Sequence, residues 1–182
     1  IKDVNKTAAT FDLKKLDWID NQYIKNADPQ RLTEQLTALL IEKGHIKKDN
    51  FDKTYVFSIV KLFQSRLSTL NDFIERADSF FIEDINIDPA AKEKFLSQDL
   101  SREFKLFVDR LEVLDKFEIP DIEAAFRDLV KELGMEAKAL IHPVRVALTG
   151  KTVGPGLFEV IYYLGRERTK KRLMQWVKGG AS

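Results

Sequence analysis

Apolar residues recur at steps of three and four along most of the chain, which is the spacing of amphipathic helices. The clearest run extends from Thr54 to Phe81, where the apolar positions are 56, 60, 63, 67, 70, 74, 77 and 81. We predict one long helix there. No stretch alternates apolar and polar residues one by one, so we predict no β-sheet. The pattern indicates an all-α fold, built of helical bundles with short loops.

Helix starts and ends are marked by capping residues. Asp28-Pro29 and Asp88-Pro89 predict two starts, because Asp accepts a hydrogen bond from the first turn and Pro lacks an N–H that this turn leaves unpaired. Gly44 and Gly134 predict helix ends, where glycine adopts a left-handed conformation at little cost. Ser101 is predicted to cap a further helix, and Pro120 with Asp121 to open the next.

The carboxy-terminal stretch predicts three short helices. One ends before Pro143, one runs from Pro155 to Leu164, and one runs from Arg166 to Val177. The second Asp-Pro pair follows a polar and β-branched segment, Ile85 to Ile87, which we interpret as a boundary between two subdomains.

Composition limits the class of protein. With 44% hydrophobic and 32% charged residues, the chain has the composition of a folded globular protein. It has no cysteine, which excludes disulfides and thiolate metal sites. No apolar run reaches the roughly 20 residues of a membrane span, so we expect a cytoplasmic protein without membrane contact. A start at Ile1 and a small-residue tail suggest a piece of a longer chain.

Charge is distributed unevenly along the sequence. From Lys138 to Lys178 the chain has nine Lys or Arg residues and two acids, Glu159 and Glu167. This segment therefore carries about +7 and the rest about −6, although the total is +1. Such an offset is typical of a surface that meets phosphates, and a solvated basic helix is the alternative.

No catalytic constellation is evident. Gly150-Lys151-Thr152 resembles the end of a P-loop, but the glycine required five residues earlier is Arg145. His45 and His142 have no partner at the spacing of metal ligands, so we expect no metal site. No pairing of nucleophile and base can be argued. From its residues alone, we interpret the chain as a binding module with no catalytic residue.

Arg145 differs from the other basic residues because it lies within an apolar run. Packing of its stem would hold the guanidinium in one direction, which suits contact with a base edge or phosphate. The alternative is an ion pair with an acid of a neighbouring helix. Most of the thirteen Phe residues are expected in the core.

Two motifs carry a resemblance to a known family. They are FDLKKLDWIDNQYI (residues 11–24) and HPVRVALTGKTVGPGLFEVIYYLGRERTKKRL (residues 142–173). On these motifs the chain resembles the carboxy-terminal, anticodon-binding part of bacterial-type glutamyl-tRNA synthetases. The first is similar to the segment after that family's KMSKS-type loop. Residues 26–135 match mainly in helical pattern.

The resemblance implies three regions and a set of RNA contacts. Residues 1–29 would be a connecting segment, and residues 30–86 and 87–182 two helical anticodon-binding subdomains. Anticodon bases would meet Arg145 and the turn with Gly154, Pro155 and Leu157, and Arg66 is the candidate reader of the third base. The remaining tRNA-binding candidates are basic: Lys151, Arg166, Arg168, Lys170, Lys171 and Arg172.

By resemblance, the parent enzyme is a class I glutamate–tRNA ligase that attaches glutamate with ATP and Mg²⁺ in another domain. HIGH-type and KMSKS-type motifs do not occur in these residues. We therefore expect tRNA as partner, no cofactor in this chain, no DNA binding and a monomer. Two alternatives stay open: a helical protein-interaction module with a basic end, and the helical terminus of a class I lysyl-type synthetase.

Overall fold

The fold is all-α throughout residues 23–177, which are the residues described in a computed structural model of the chain. Extended pairing in this range is limited to an isolated bridge between Lys47 and Asn50. The predicted fold class is confirmed. Most of the first motif and most of the predicted connecting segment fall in residues 1–22, outside the described range. The chain divides into two compact units between Glu75 and Arg76.

The first unit is built on two packed helices, α1 (Pro29–Glu42) and α2 (Lys53–Gln64). The predicted start of α1 is confirmed, because the Asp28 carboxylate accepts a hydrogen bond from the amide of Gln30 at 3.2 Å. Gly44 has the predicted left-handed conformation, with φ of 73°. The buried core of this unit comprises Ile24, Leu32, Leu36, Leu40, Val56, Ile59, Val60, Phe63, Leu67 and Phe73.

The prediction of a single helix from Thr54 to Phe81 was wrong. The helix is interrupted after α2, resumes as α3 (Leu70–Ala77) and ends in a 3-10 turn (Asp78–Phe80). The new start is a local cap: the Asp72 carboxylate accepts from the amide of Thr69 at 3.2 Å, and the Thr69 hydroxyl accepts from the amide of Asp72 at 3.1 Å. This reciprocal pair stabilises a second helix start, which hydrophobic spacing does not record.

The second unit has α8 (Leu157–Met174) at its centre. This helix packs against α5 (Ser101–Glu112), α6 (Ile119–Glu132) and α7 (Ala137–Thr149), and α4 (Pro89–Leu96) packs on α7. Their apolar faces form the core, with these residues buried: Phe104, Phe107, Val108, Leu111, Ile122, Phe126, Leu129, Leu140, Val144, Val146, Val160 and Ile161. Helix α5 begins at Ser101 and its cap residue is Leu100, so Ser101 is not the cap as predicted. The Asp99 carboxylate accepts from the Ser101 amide at 3.1 Å.

Two boundaries near the carboxy terminus also differ from the prediction. Helix α7 does not end before Pro143 but continues through it, with the proline buried inside the helix. An interior proline removes one helical hydrogen bond, and burial in the core offsets that cost here. Helix α8 begins at Leu157, because Pro155 belongs to the preceding turn. The predicted break at Gly165 is present as a non-helical residue, with φ of 77° and ψ of 166°.

The unit division between Glu75 and Arg76 lies earlier in the chain than the subdomain boundary that we placed between residues 86 and 87. The two divisions describe different properties. The first separates compact units of the structure, and the second separates the RNA-binding subdomains that the family resemblance implies. The functional subdomains therefore stay a prediction.

Candidate nucleic-acid interface

The connection from α7 to α8, residues 150–156, is called the α7–α8 turn below. It starts at Gly150, which caps α7 with φ of 73° and donates its N–H to the Val146 carbonyl at 2.8 Å. A β-carbon at this position would lie 2.0 Å from the backbone oxygen of Asn86. Only glycine therefore satisfies both the left-handed conformation and the close approach of the neighbouring backbone.

Arg145 reaches across the base of this turn. Its guanidinium donates a hydrogen bond of 2.6 Å to the carbonyl oxygen of Pro155. The side chain is half-buried, and this burial lowers the pKa of the guanidinium, which stays charged because its ordinary pKa is so high. The partner at this distance is a backbone carbonyl of the turn and not an acid of a neighbouring helix, and the bond limits the directions of the guanidinium. Contact of Arg145 with a base or phosphate stays a prediction.

The tip of the turn is open to solvent, but the apolar residues predicted to meet a base are not. Pro155 and Leu157 are buried, whereas residues 152–154 are exposed. Val153 is exposed to 72%, which is high for a branched apolar side chain. A β-carbon at Gly154 would lie 3.7 Å from the Arg145 guanidinium, which is an ordinary van der Waals distance, so Gly154 is the exposed residue next to that group. Sequence reasoning missed Val153 because the hydrophobic pattern does not separate turn tips from core.

Residues 78–88 are called the strap below, because they run along the α7–α8 turn. The amide of Asp88 donates to the carbonyl of Gly150 at 3.0 Å. Lys151 forms an ion pair with Asp78, and both side chains are about three-quarters covered. Lys151 was a predicted RNA contact, yet its ammonium group is engaged with the strap.

Helix α8 also contacts the strap. Arg168 donates to the carbonyl of Phe80 at 2.8 Å and lies 3.4 Å from the carboxylate of Glu83. Lys171 binds the same carboxylate at 3.1 Å. The hydrogen bond from Lys171 and the positive charge of Arg168 together hold the pKa of Glu83 below its ordinary value.

Among the basic residues of the described range, Arg172 is the most deeply buried. It is 2% exposed, and its guanidinium donates to the carbonyl of Leu148 at 2.6 Å and to that of Ile82 at 2.7 Å. The sequence grouped this residue with surface cations, and that placement was wrong. The helical periodicity of the sequence does not distinguish Arg172 from the neighbouring charged residues. In the structure, α7 and the strap enclose its side chain.

Two further basic residues of α8 face the end of α5. Arg166 donates to the carbonyl of Glu112 and, at 2.7 Å, to that of Leu114. Lys170 binds the Glu112 carboxylate at 2.8 Å, and this hydrogen bond raises the pKa of its ammonium group. Lys138, at the start of α7, is exposed, and Lys178 lies outside the described residues.

The positive segment of the sequence is therefore not an unpaired patch in three dimensions. Acids at positions 78, 83 and 112, from the negative part of the chain, fold against its lysines and arginines. Several of these pairs are exposed: the side chains of Lys170 and Lys171 are 44% and 57% accessible. Exposed pairs add little net stability, so an approaching phosphate can compete for these lysines.

The candidate reader of the third base, Arg66, lies in the first unit in the loop that separates α2 from α3. Its side chain is exposed and donates to the carbonyl of Leu62 at 2.7 Å. This bond directs the guanidinium along the end of α2 without enclosing it. Within residues 23–177, no group of three or more potential ligands could hold a metal ion, and no helix has the length and hydrophobicity to span a bilayer.

Comparisons with known proteins agree with this architecture. The profile of the family described as "Anticodon binding domain" matches residues 30–177. Glutamate–tRNA ligase 2 of Caldicellulosiruptor saccharolyticus is 34% identical over 173 residues, which is 95% of this chain and 36% of the relative. Glutamate–tRNA ligase of Thermodesulfovibrio yellowstonii is 32% identical over 174 residues, which is 95% of this chain and 37% of the relative.

Solved structures show the same fold. The glutamate tRNA ligase of Elizabethkingia meningosepticum, solved in complex with its amino acid, superposes with a TM-score of 0.79 at 19% identity, over 92% of this chain and 32% of that one. The enzyme of Elizabethkingia anophelis gives 0.77 at 21% identity, with the same coverage. The chain spans little more than a third of the length of the curated relatives it matches.

Proposed function

The chain belongs to the anticodon binding domain family, and from that membership we propose that it recognises the anticodon loop of the glutamate tRNA. The observation that carries the proposal is the family match over residues 30–177. It is supported by relatives that are glutamate–tRNA ligases, with which 95% of this chain aligns. The geometry of Arg145 and the α7–α8 turn supports one location for base recognition in the second unit.

Arg145 is the residue best suited to read a base. The Pro155 carbonyl takes one of the five N–H donors of its guanidinium and limits the orientations of the group. A base placed over Gly154 would meet this guanidinium where no side chain intervenes. Since single-stranded RNA is read through unstacked bases, a fixed donor group beside an open turn is the appropriate chemistry.

Apolar contact with the RNA is assigned to Val153 in this proposal. Its exposed side chain is at the tip of the turn, whereas Pro155 and Leu157 are buried and shape the turn from beneath. Gly154, next to Val153, lies beside the Arg145 guanidinium. The roles of Pro155 and Leu157 would accordingly be to hold the turn, and direct stacking on them would require the turn to rearrange.

Backbone phosphates are assigned to the exposed lysines of α8. Lys170 and Lys171 each hold a carboxylate at the surface, and exchange of that carboxylate for a phosphate keeps the ammonium group paired. Such contacts add affinity for any RNA and give little sequence information. Arg168, Lys151 and Arg166 are engaged with the protein, so their contribution would be to shape the surface.

The first unit would contribute the contact to the third anticodon base through Arg66. Its guanidinium is exposed, and the bond to the Leu62 carbonyl limits its orientations.

In the whole protein, a separate domain would attach glutamate to the tRNA using ATP and Mg²⁺. The ligase activity of the relatives supports that role, and this chain covers 36% of such a protein. A cytoplasmic location and a monomeric state belong to the same proposal.

The test is a set of binding titrations with the 182-residue chain. The glutamate tRNA, the glutamine tRNA and a glutamate tRNA with a replaced anticodon are compared at several salt concentrations. Tighter binding of the glutamate tRNA than of the anticodon variant supports the proposal. Equal binding of all three contradicts it, and would favour the alternative of a basic surface that binds acidic partners without reading bases.

A further inference from the structure

The buried position of Arg172 has a consequence for the α7–α8 turn. A guanidinium that is 2% exposed has given up its hydration, and hydrogen bonds inside the protein must compensate for that. Two of its acceptors are backbone carbonyls on different elements, 2.6 and 2.7 Å from its nitrogens. Arg172 therefore joins two segments of backbone through one planar group.

Those two segments are the end of α7 and the strap. The Leu148 carbonyl belongs to the last turn of α7, where helical carbonyls have no partner within the helix. A cation at this end also interacts favourably with the helix dipole. The Ile82 carbonyl lies in the middle of the strap, so Arg172 joins the strap to α7 two residues before the turn begins.

The same strap meets the turn directly. Gly150 accepts from the Asp88 amide at 3.0 Å, and Lys151 is paired with Asp78. The first two residues of the turn are thus tied to both ends of the strap, while Arg172 ties its middle to α7. At the other end of the turn, Arg145 holds the Pro155 carbonyl.

Both ends of the turn are anchored, and its tip, residues 152–154, is exposed. Binding to a loop that already has its bound shape costs less conformational entropy than binding to a mobile one. Anchoring also keeps Arg145 in the geometry that a base contact requires, since specific sites depend on support from the residues behind them.

We propose that Arg172 is a positioning residue for anticodon discrimination, which acts by holding the strap and the end of α7 together beneath the α7–α8 turn. It does not contact the RNA. This inference rests on the proposed function, and it predicts that removal of the two hydrogen bonds to carbonyls reduces discrimination between anticodons more than it reduces the affinity for RNA in general.

The deciding variant is Arg172→Lys. Lysine keeps the positive charge, but an ammonium group cannot present the planar fork that joins two carbonyls. Binding is measured for the glutamate tRNA, for the same tRNA with a replaced anticodon, and for poly(U). We expect the ratio of the first two affinities to fall roughly tenfold, with poly(U) affinity changed by less than about twofold. An unchanged ratio in a folded variant would overturn the proposal.

A second variant separates positioning from stability. Val108→Ala weakens the core of the same unit at α5, where Val108 is 3% exposed and belongs to neither the turn nor the strap. It should lower the melting temperature and leave the ratio unchanged. A ratio that falls equally in this variant would show that Arg172 acts only through general stability.

If Arg172→Lys does not fold, Arg172→Gln takes its place, because a neutral amide costs less to bury than an ammonium group and cannot join both carbonyls as the guanidinium does. A fall of the ratio supports the proposal and an unchanged ratio overturns it. A wild-type chain that does not distinguish the two tRNAs would instead contradict the proposed function. The two failures are thus distinguishable.

Discussion

The guanidinium of Arg145 donates a hydrogen bond of 2.6 Å to the carbonyl oxygen of Pro155, ten residues further along the chain. One contact therefore closes the α7–α8 turn and fixes the direction of the residue most suited to read a base. In the proposed function, structure and recognition depend on the same side chain, so its variants have to be tested for both.

Arg145→Gln should reduce affinity for the glutamate tRNA by about 1 to 3 kcal/mol, because a fixed guanidinium at a base edge contributes roughly that much discrimination. Affinity for the glutamate tRNA with a replaced anticodon should change less, since that tRNA lacks the base that the proposal places against Arg145. Titrations with both tRNAs measure this. Equal reductions together with a lowered melting temperature would instead show that Arg145 only holds the turn.

Lys170→Gln with Lys171→Gln should weaken binding of all tRNAs alike and reduce the salt dependence of binding. The slope of log affinity against log salt should decrease by about one for each phosphate that the protein no longer neutralises. The matched control is Lys105→Gln with Arg127→Gln, which removes two cations from exposed ion pairs on α5 and α6. A slope that changes equally in both double variants would refute the assignment.

Gly150→Ala should destabilise the second unit more than Gly134→Ala. Both glycines follow a helix with positive φ, 73° and 62°, so both substitutions carry the left-handed cost of roughly 1 to 2 kcal/mol. At Gly134 the new β-carbon has no neighbour within 4 Å, whereas at Gly150 it lies 2.0 Å from the Asn86 oxygen. The free energy of unfolding in denaturant should differ by about 1 to 3 kcal/mol between them. Equal values would mean that the strap moves aside freely.

Glu83→Gln should remove a contribution to stability that depends on pH. The hydrogen bond from Lys171 lowers the pKa of the Glu83 carboxyl below the ordinary 4.5, with help from the charge of Arg168. A depressed carboxyl pKa stabilises the fold above the unfolded pKa, and the contribution disappears as pH falls through the folded pKa. Because the side chain is 57% exposed, the effect at pH 7 should be below about 1 kcal/mol.

Denaturant unfolding of wild type and Glu83→Gln at pH 7 and at pH 3 measures that difference. It should be present at pH 7 and shrink at pH 3. Glu93→Gln, at an exposed position of α4, removes the same charge and serves as the control. A difference that is constant with pH would show that Glu83 acts through packing alone.

Arg66→Gln should lower discrimination at the third anticodon base and leave stability nearly unchanged, because the side chain is exposed and its bond to the Leu62 carbonyl is local. The measurement is the affinity ratio of the glutamate and glutamine tRNAs. Arg31→Gln, an exposed arginine on α1 of the same unit, reports the effect of charge by itself. The same ratio in both variants would remove Arg66 from the recognition site.

The periodicity of apolar residues was sufficient to predict the helices and most of their buried faces, because a helix core depends on local spacing. It could not predict the interruption after α2, where the pattern continues through the break and only the pairing of Thr69 with Asp72 marks a new start. The family resemblance, carried by motifs rather than by spacing, indicated the α7–α8 turn, and the family match is consistent with it.

The sequence by itself determined the fold class, the caps at Asp28 and Gly44 and the presence of an arginine within the apolar run of α7. These depend on neighbours within a few positions. Only the tertiary structure decided which basic residues are at the surface. Arg172 and Lys171 are adjacent in sequence, yet one is enclosed by the backbone of α7 and the strap and the other is 57% exposed. A count of charges along the sequence omits the acids that folding places beside the basic residues of α8. Those acids are about 60 to 90 positions away from their basic partners in the sequence.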